Sequence, residues 1–424
     1  MKRVQTSETT RAQRLHIGLF GRCNAGKSTL CNALSGQHVA LVSPLPGTTT
    51  DPVEKVMEMA PLGPVVLHDT AGLDDTSSLG RERVQRTLAE LKSVDLALLV
   101  LEECEFGQAE ETAIHTFEAE RLPFAIVCSL RHPPLPRDHE RMAKITEVLR
   151  TQKTFGGIAP VWLEDNAWQG LEEVRRLVAA LAPRDREPAM LQDLLPERNG
   201  RLVLVCPQDS GAPRGRLIMP QVQAIRDALD GRALCLVVTD EQVNEALQVF
   251  DMAPDLVVCD SQVVRKVAAC TPEQVPFTTF SILMARMKGD LESLATGAAA
   301  LLDLHPKDTV IIQEACSHHA QKDDIGRVQI PRLLAKLAGG PVNCPVLAGR
   351  SWSEYDGTAR AIVHCGACTL TRREMNARLA EARERGIPMT NYGMALSLGS
   401  GLLQRTLAPF PQALAAWQRA RAHA

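Results

Sequence analysis

The chain has 424 residues, too many for a single core, and domain-size statistics point to about three domains. Hydrophobic residues at 45% and charged residues at 23% give an ordinary soluble globular balance. A net charge of −3 supplies no positive field for nucleic acid, and 4% aromatic residues leave few rings on which bases could stack.

In chain order, the polar, Arg/Thr-rich run from Met1 to Arg14 lacks the apolar core of a signal peptide. No stretch is long and apolar enough to span a bilayer, so the expectation is a cytoplasmic protein with reduced thiols and no membrane partner. From Leu15 to Leu181, the runs Leu15–Phe20, Val65–Leu67, Leu96–Leu101 and Phe124–Val127 read as buried strands. Between and after them, Ser28–Leu34, Arg81–Leu91, Gln108–Ala119 and Leu171–Leu181 read as helices. That alternation predicts a mainly parallel sheet with helices on both faces.

Pro183, Pro188 and Pro196 punctuate a polar stretch that reads as a linker. A second βα series follows, with strands at Leu202–Val205, Leu234–Val238 and Leu256–Val258 and helices at Pro220–Leu229, Glu241–Phe250 and Ser261–Ala269. It has no phosphate loop and reads as an assembly module. In the third region Ile282–Leu302 has helical spacing, Thr309–Ile312 is a strand leading into Cys316, and Ile362–Val363 leads into His364. Helices are expected at Arg372–Arg385 and Met394–Leu407. The expected fold is therefore α/β in three domains: a Rossmannoid P-loop domain over 12–183, a small α/β domain over 198–275, and a further α/β domain over 276–424.

The run Gly21-Arg22-Cys23-Asn24-Ala25-Gly26-Lys27-Ser28, followed by Thr29, fits G-x-x-x-x-G-K-S between a strand and a helix. Its glycines let backbone amides turn inward around an anion, and the helix adds its positive end. Lys27 would neutralise the β- and γ-phosphates and Ser28 would ligate Mg²⁺. Gly47-Thr48-Thr49-Thr50-Asp51 stands where a switch loop supplies a threonine to Mg²⁺. Asp69-Thr70-Ala71-Gly72 follows a strand, so that Asp69 can reach Mg²⁺ through water and the Gly72 amide can sense the γ-phosphate.

The order and spacing of these runs resemble the Era/TrmE branch of GTPases. That resemblance implies GTP and GDP as ligands, a K⁺ held with help from Asn24, and either Thr48 or Thr49 as the Mg²⁺ ligand. One departure stands out. The branch carries Asn-Lys-x-Asp after the next strand, whose Asp reads the guanine edge; here Cys128 is followed by Ser129-Leu130-Arg131-His132-Pro133. Val161-Trp162-Leu163-Glu164-Asp165-Asn166 stands near the place of the later Ser-Ala-Lys-like run. Base preference is thereby left open, and without an obvious glutamine or arginine finger the expected turnover is slow.

Of the 12 cysteines, Cys128, Cys206, Cys235 and Cys259 lie in or beside apolar runs and read as small core residues. Cys316, in Cys316-Ser317-His318-His319, and the pair in His364-Cys365-Gly366-Ala367-Cys368 lie among glycine and polar residues instead. Together they form a C-x-H…H-C-x-x-C constellation of soft ligands. Spacing alone fits structural zinc on Cys₃His and a three-cysteine 4Fe–4S cluster with one exchangeable iron equally well. His318 and His364 are candidate further ligands, each with a hydrogen-bonding role as the plainer alternative.

The third region resembles the (FeFe)-hydrogenase maturation GTPases, the scaffold family of that pathway. The resemblance rests on Phe280 to Asp290, Glu314 to His319, Asp324 to Pro331, His364 to Cys368, Arg372 to Met375 and Asn391 to Gly393. It implies a homodimer held through the middle domain, making 198–275 a dimerisation domain, and a 4Fe–4S cluster on Cys316, Cys365 and Cys368, making 276–424 a cluster-binding domain. It also implies a di-iron precursor bearing CO and cyanide as cargo, assembled with two radical-SAM maturases and delivered to apo-(FeFe)-hydrogenase. The competing reading is an RNA- or ribosome-associated GTPase with a structural zinc domain, which calls for a basic, aromatic-bearing patch.

Overall fold

The computed structural model describes residues 14–36, 53–74, 90–183, 188–196, 199–208, 215, 217–315, 324–349 and 358–422. The chain divides into two compact units, residues 1–186 and 187–424.

In the first unit β1 (Leu15–Phe20), all six residues of which are buried, pairs in parallel with β3 (Gly63–Asp69) and β4 (Leu96–Glu102). β5 (Phe124–Leu130) and β6 (Phe155–Glu164) continue the sheet in parallel. The edges, β2 (Val53–Met59) against β3 and β7 (Ala167–Gln169) against β6, are antiparallel, giving the order β2-β3-β1-β4-β5-β6-β7. The helices are α1 (Lys27–Ser35), α2 (Gln108–Ala119), α3 (Pro136–Leu149) and α4 (Leu171–Leu181).

Alternation along β1 feeds two cores. Leu15, Ile17 and Leu19 pack with Leu30 and Leu34 of α1 and Val174 and Val178 of α4. On the other face Phe20 meets Phe117, which meets Phe124, with ring centroids 5.4 Å apart at each step. Each fully buried side chain of this size contributes about 1.5–3 kcal/mol. The expected strands and helices of this unit are present, apart from Arg81–Leu91, most of which lies outside the described residues. β2, β6, β7 and α3 are additions. α3 buries only Met142, Ile145 and Leu149 of its apolar residues, a stripe too thin to stand out among its charges.

The second unit holds two sheets of four parallel strands. The first has the order β11-β10-β8-β9, from β8 (Arg201–Val205), β9 (Leu234–Val238), β10 (Leu256–Cys259) and β11 (Phe277–Thr279). Around it lie α5 (Met219–Asp230), α6 (Val243–Gln248) and α7 (Val264–Cys270). The other has the order β13-β12-β14-β15, from β12 (Val310–Glu314), β13 (Val346–Ala348), β14 (Ala361–His364) and β15 (Met389–Asn391). α8 (Phe280–Lys288), α9 (Leu291–Ala299), α10 (Ile330–Leu337), α11 (Arg372–Glu384), α12 (Tyr392–Gly399), α13 (Leu403–Leu407) and α14 (Pro411–Arg421) complete it.

The two sheets share one core. Leu202, Leu204, Leu256 and Val258 of the first, Ile311 and Ile362 of the second, and Phe280, Leu283, Met284 and Met287 of α8 form a single buried cluster. β11 pairs with β10, so the first sheet reaches Thr279. The helical spacing of Ile282–Leu302 resolves into two helices and a short 3₁₀ turn, because Asp290 caps α9 by accepting from Ser293 N at 3.1 Å. Met394–Leu407 likewise splits between α12 and α13, around Gly401 in left-handed backbone. Cys128, Cys206 and Cys259 are buried as expected, while Cys235 is partly exposed; burial pushes the Cys206 thiol up to about 12.

Candidate functional site

β1 ends at Phe20 and the chain turns through Gly21–Gly26 into α1. Asn24 and Gly26 adopt left-handed backbone, with φ of 63° and 92°, which turns successive amides toward one concavity at the start of α1. Ala25 is buried beneath the loop, Asn24 is exposed, and Thr29 lies on the first turn of the helix. Lys27 is buried, its Nζ donating to Gly21 O at 3.1 Å and Arg22 O at 2.7 Å. Burial lowers its pKa, and the neighbouring Asp69 carboxylate opposes that shift. The ammonium is therefore folded over the loop, ready to exchange these carbonyls for phosphate oxygens.

Asp69 ends β3 beside Leu19 of β1, and Ser28 Oγ donates to Asp69 Oδ2 at 2.5 Å. Two of the three expected Mg²⁺ contacts thus lie side by side. Burial raises the Asp69 pKa, partly offset by the Ser28 hydrogen bond and the Lys27 charge. Thr48 and Thr49 lie outside the described residues. Gly72 lies against the phosphate loop: a Cβ there would sit 2.2 Å from Cys23 Sγ and 2.7 Å from Cys23 N. Leu73 N donates to Gly21 O at 3.1 Å, and Thr70 Oγ1 to Leu19 O at 2.6 Å.

Two further residues brace this loop. Cys23 N donates to Asp74 Oδ1 at 2.7 Å. Arg22 donates through Nε and a terminal nitrogen to the two oxygens of buried Glu110, at 2.8 and 2.7 Å, and Gly107 N donates to the same carboxylate at 3.0 Å. Neither residue is named by motif, since both contacts join positions more than fifty residues apart.

The run after β5 is built differently from a base-reading loop with a carboxylate of its own. Glu103, from the end of β4, accepts from Arg131 N at 2.8 Å, and His132 Nε2 lies 3.5 Å from the other oxygen. Asp165 and Asn166 form the left-handed turn of the β6–β7 hairpin, with φ of 47° and 60°.

In the second unit β12 and β14 run parallel with Gln313 opposite His364. Their carboxyl ends therefore emerge side by side, and Ala315 N donates to Cys365 Sγ at 3.2 Å. Ala315 is the residue before Cys316 in the chain. Cys316 and His318 themselves lie outside the described residues. Ala367, between Cys365 and Cys368, is in left-handed backbone at φ 53°, and both cysteines are partly exposed. Among the described residues no group of three or more His, Cys, Asp or Glu side chains is arranged to hold a metal ion.

His364 is fully buried. Its Nδ1 lies 2.7 Å from Cys365 O, and its Nε2 lies 3.0 Å from an Arg378 nitrogen. A carbonyl can only accept and a guanidinium can only donate, so the ring is the neutral tautomer protonated at Nδ1. Burial, and then the Arg378 charge, push its pKa down to about 3. Both nitrogens are engaged, so ligation through Nε2 would require the Arg378 contact to break while Nδ1 kept the carbonyl. On the opposite face Glu314 is buried and accepts from Arg327 at 3.0 and 3.2 Å. Tyr392, the first residue after β15, brings a buried hydroxyl to the same strand ends; burial raises its pKa, and the Cys365, Glu314 and Asp324 charges add to that.

Comparison with known proteins follows these divisions. The 50S ribosome-binding GTPase model matches residues 16–129, the hydrogen maturase F dimerization domain residues 190–289, and the hydrogen maturase F tetramerization domain residues 292–409. The chain belongs to the hydrogen maturase F family. Its fold is α/β, a P-loop GTPase domain followed by the two hydrogen maturase F domains. The family's two domains fill the region that the rival reading gives to structural zinc, and that rival is not favoured. Tetramerization is an assembly role that the sequence reading did not name.

Among curated relatives, a tRNA modification GTPase MnmE of Methylorubrum populi is 46% identical over 101 residues, 23% of this chain and 22% of that protein. GTPase Der of Chloroflexus aggregans is 29% identical over 161 residues, 37% of this chain and 36% of that protein. The chain spans about a quarter of the length of the MnmE relatives. The G domain of the T. maritima FeoB iron transporter covers 40% of this hydrogen maturase F chain and 98% of its own, at 21% identity and a TM-score of 0.29. Among the described residues no helix is long and apolar enough to cross a membrane.

Proposed function

We propose that this chain is a nucleotide-controlled scaffold of (FeFe)-hydrogenase maturation. It binds a 4Fe–4S cluster through Cys316, Cys365 and Cys368, carries a CO- and cyanide-bearing di-iron precursor as cargo, and passes it to apo-hydrogenase. The observation that supports this most directly is the 3.2 Å contact between Cys365 Sγ and the amide of Ala315, the residue before Cys316, at one sheet end. Reduced, partly exposed thiols are the right chemistry for iron, and three of them leave one iron open to exchange. The middle and C-terminal domains would hold the chain in a self-associated form, with the cytoplasm as its compartment.

In the first unit GTP would lie with its phosphates over the Gly21–Ser28 loop. Ser28 and Asp69 have the oxygen chemistry that Mg²⁺ takes, and Asn24 would help to hold a K⁺. Hydrolysis joins a water oxygen to the γ-phosphorus and breaks the bond to the β–γ bridging oxygen, while Lys27 neutralises the charge that builds there. Turnover should be slow, because the motifs carry no obvious glutamine or arginine finger, and K⁺-stimulated, because a cation held near Asn24 would supply fixed positive charge in its place. The nucleotide state would change partner docking through the Gly72 segment.

Anaerobic reconstitution tests the cluster reading. A brown protein holding about four irons per chain is expected, and activation of apo-hydrogenase by the precursor-loaded chain. A colourless protein that retains one zinc would overturn it.

A further inference from the structure

Tyr392 opens α12 directly after β15, and β15 pairs with β14 so that Asn391 lies opposite His364. The residues that follow the two strands are Tyr392 and Cys365. The tyrosine is only 9% exposed, and among the described residues its hydroxyl has no hydrogen-bond partner. A buried hydroxyl left in this state costs about 1–3 kcal/mol. Its surroundings are polar and sulfur-bearing: Cys365, Glu314, Asp324 and Arg327 all act on it electrostatically.

The position of the hydroxyl is also fixed from the other side. Gly326 lies in a π-helical turn, Ile325–Gln329, and a Cβ there would fall 2.2 Å from the Tyr392 hydroxyl oxygen. The absence of a side chain at Gly326 makes the room for the phenol. Arg327, next in that turn, spends its guanidinium on Glu314, and Asp324 accepts from Arg327 N at 2.9 Å. The neighbouring charges thus satisfy one another and leave the phenol's proton unclaimed. A phenol is protonated at neutral pH, so what it offers is a donor.

We propose that Tyr392 is a positioning residue of the cysteine site, its hydroxyl donating a hydrogen bond to a sulfur of the cluster held through Cys365. This rests on the cluster reading above. Donors to cluster sulfur stabilise the more negative, reduced form and so raise the reduction potential. The hydroxyl would thereby help to set the potential at which the scaffold holds or releases its cargo.

The test uses the full chain, reconstituted anaerobically with iron and sulfide, for wild type and Tyr392→Phe. Iron content, the EPR spectrum of the reduced cluster and the midpoint potential are read for both. Tyr392→Phe should load the same iron with a lower midpoint. A tenfold loss in the reduction equilibrium would read as ~59 mV for one electron. Gly326→Ala keeps the phenol but displaces it, and should move the midpoint the same way. Full loading with unchanged midpoint and EPR spectrum in both variants overturns the tyrosine's role alone. A wild-type chain that takes up no iron overturns the cluster reading itself, so the two failures are distinct.

Discussion

Replacing Gly72 by alanine puts a Cβ where the structure has no room. It would meet Cys23 Sγ at 2.2 Å, Cys23 N at 2.7 Å and Cys23 Cα at 3.0 Å. Two of the three obstacles are main chain, so rotating the cysteine cannot relieve them, and the segment carrying Asp69 and Gly72 must lift off the phosphate loop. Forcing extra volume into a tight contact costs about 1–3 kcal/mol, a population shift of about 5–150-fold away from the closed arrangement. Lys27 and Ser28 are untouched, so GDP affinity should hold while single-turnover GTP hydrolysis falls by a factor in that range. Adding Cys23→Ala removes only the sulfur, and should recover part of the loss. Wild-type hydrolysis in Gly72→Ala would refute the reasoning, and full recovery in the double variant would show that the clash lies with the side chain.

Cys365→Ser should lose iron loading while keeping nucleotide affinity, and Lys27→Ala should do the converse; metal analysis and nucleotide titration on both variants check this. Gly297→Ala in α9 would place a Cβ 1.9 Å from Met389 O and 2.5 Å from Met389 C, against the backbone of β15. It should destabilise the second unit by about 1–3 kcal/mol, read from urea unfolding. Asp255 accepts from Arg201 N, Nε and a terminal nitrogen at 2.8, 3.1 and 2.8 Å, and Arg201 holds its pKa below the usual carboxylate range. The folded value lies under the unfolded one of about 3.9, so this stabilisation is present above that pH and is lost as pH falls through the folded value. Asp255→Asn should flatten that part of the acid limb in urea midpoints measured against pH; an unchanged limb would refute it.

What the sequence made legible was local. The phosphate loop is one contiguous run between a strand and a helix, and the bounds of β1, β9, α2 and α4 follow from apolar periodicity alone. Breaks inside a continuing period were not legible. Gly289-Asp290 interrupts no apolar stripe, and only the Asp290 cap on Ser293 shows where α9 starts. The three-residue strands β13 and β15 are too short to carry a pattern, yet β15 delivers Tyr392. Asp74, Glu110 and Tyr392 matter through contacts with distant positions, and no spacing rule reaches them.

Both candidate sites obey the same geometry: ligands of parallel α/β sheets gather outside the carboxyl ends of the strands. The phosphate loop follows β1 and Asp69 closes β3; Ala315 follows β12, Cys365 follows β14 and Tyr392 follows β15. They differ in how their polar groups are satisfied. In the first site Lys27, Ser28 and Cys23 N already have internal partners, which a phosphate and its cation would replace. At the second, the Tyr392 hydroxyl and both side-chain amide atoms of buried Gln313 have none among the described residues. Unpartnered groups at about 1–3 kcal/mol each lower the stability of the empty fold. A bound species that accepts from the hydroxyl and the amide nitrogen, or donates to the amide oxygen, would return that free energy as affinity. Ligand binding at the cysteine site should therefore stabilise the second unit beyond what its metal–sulfur bonds alone supply.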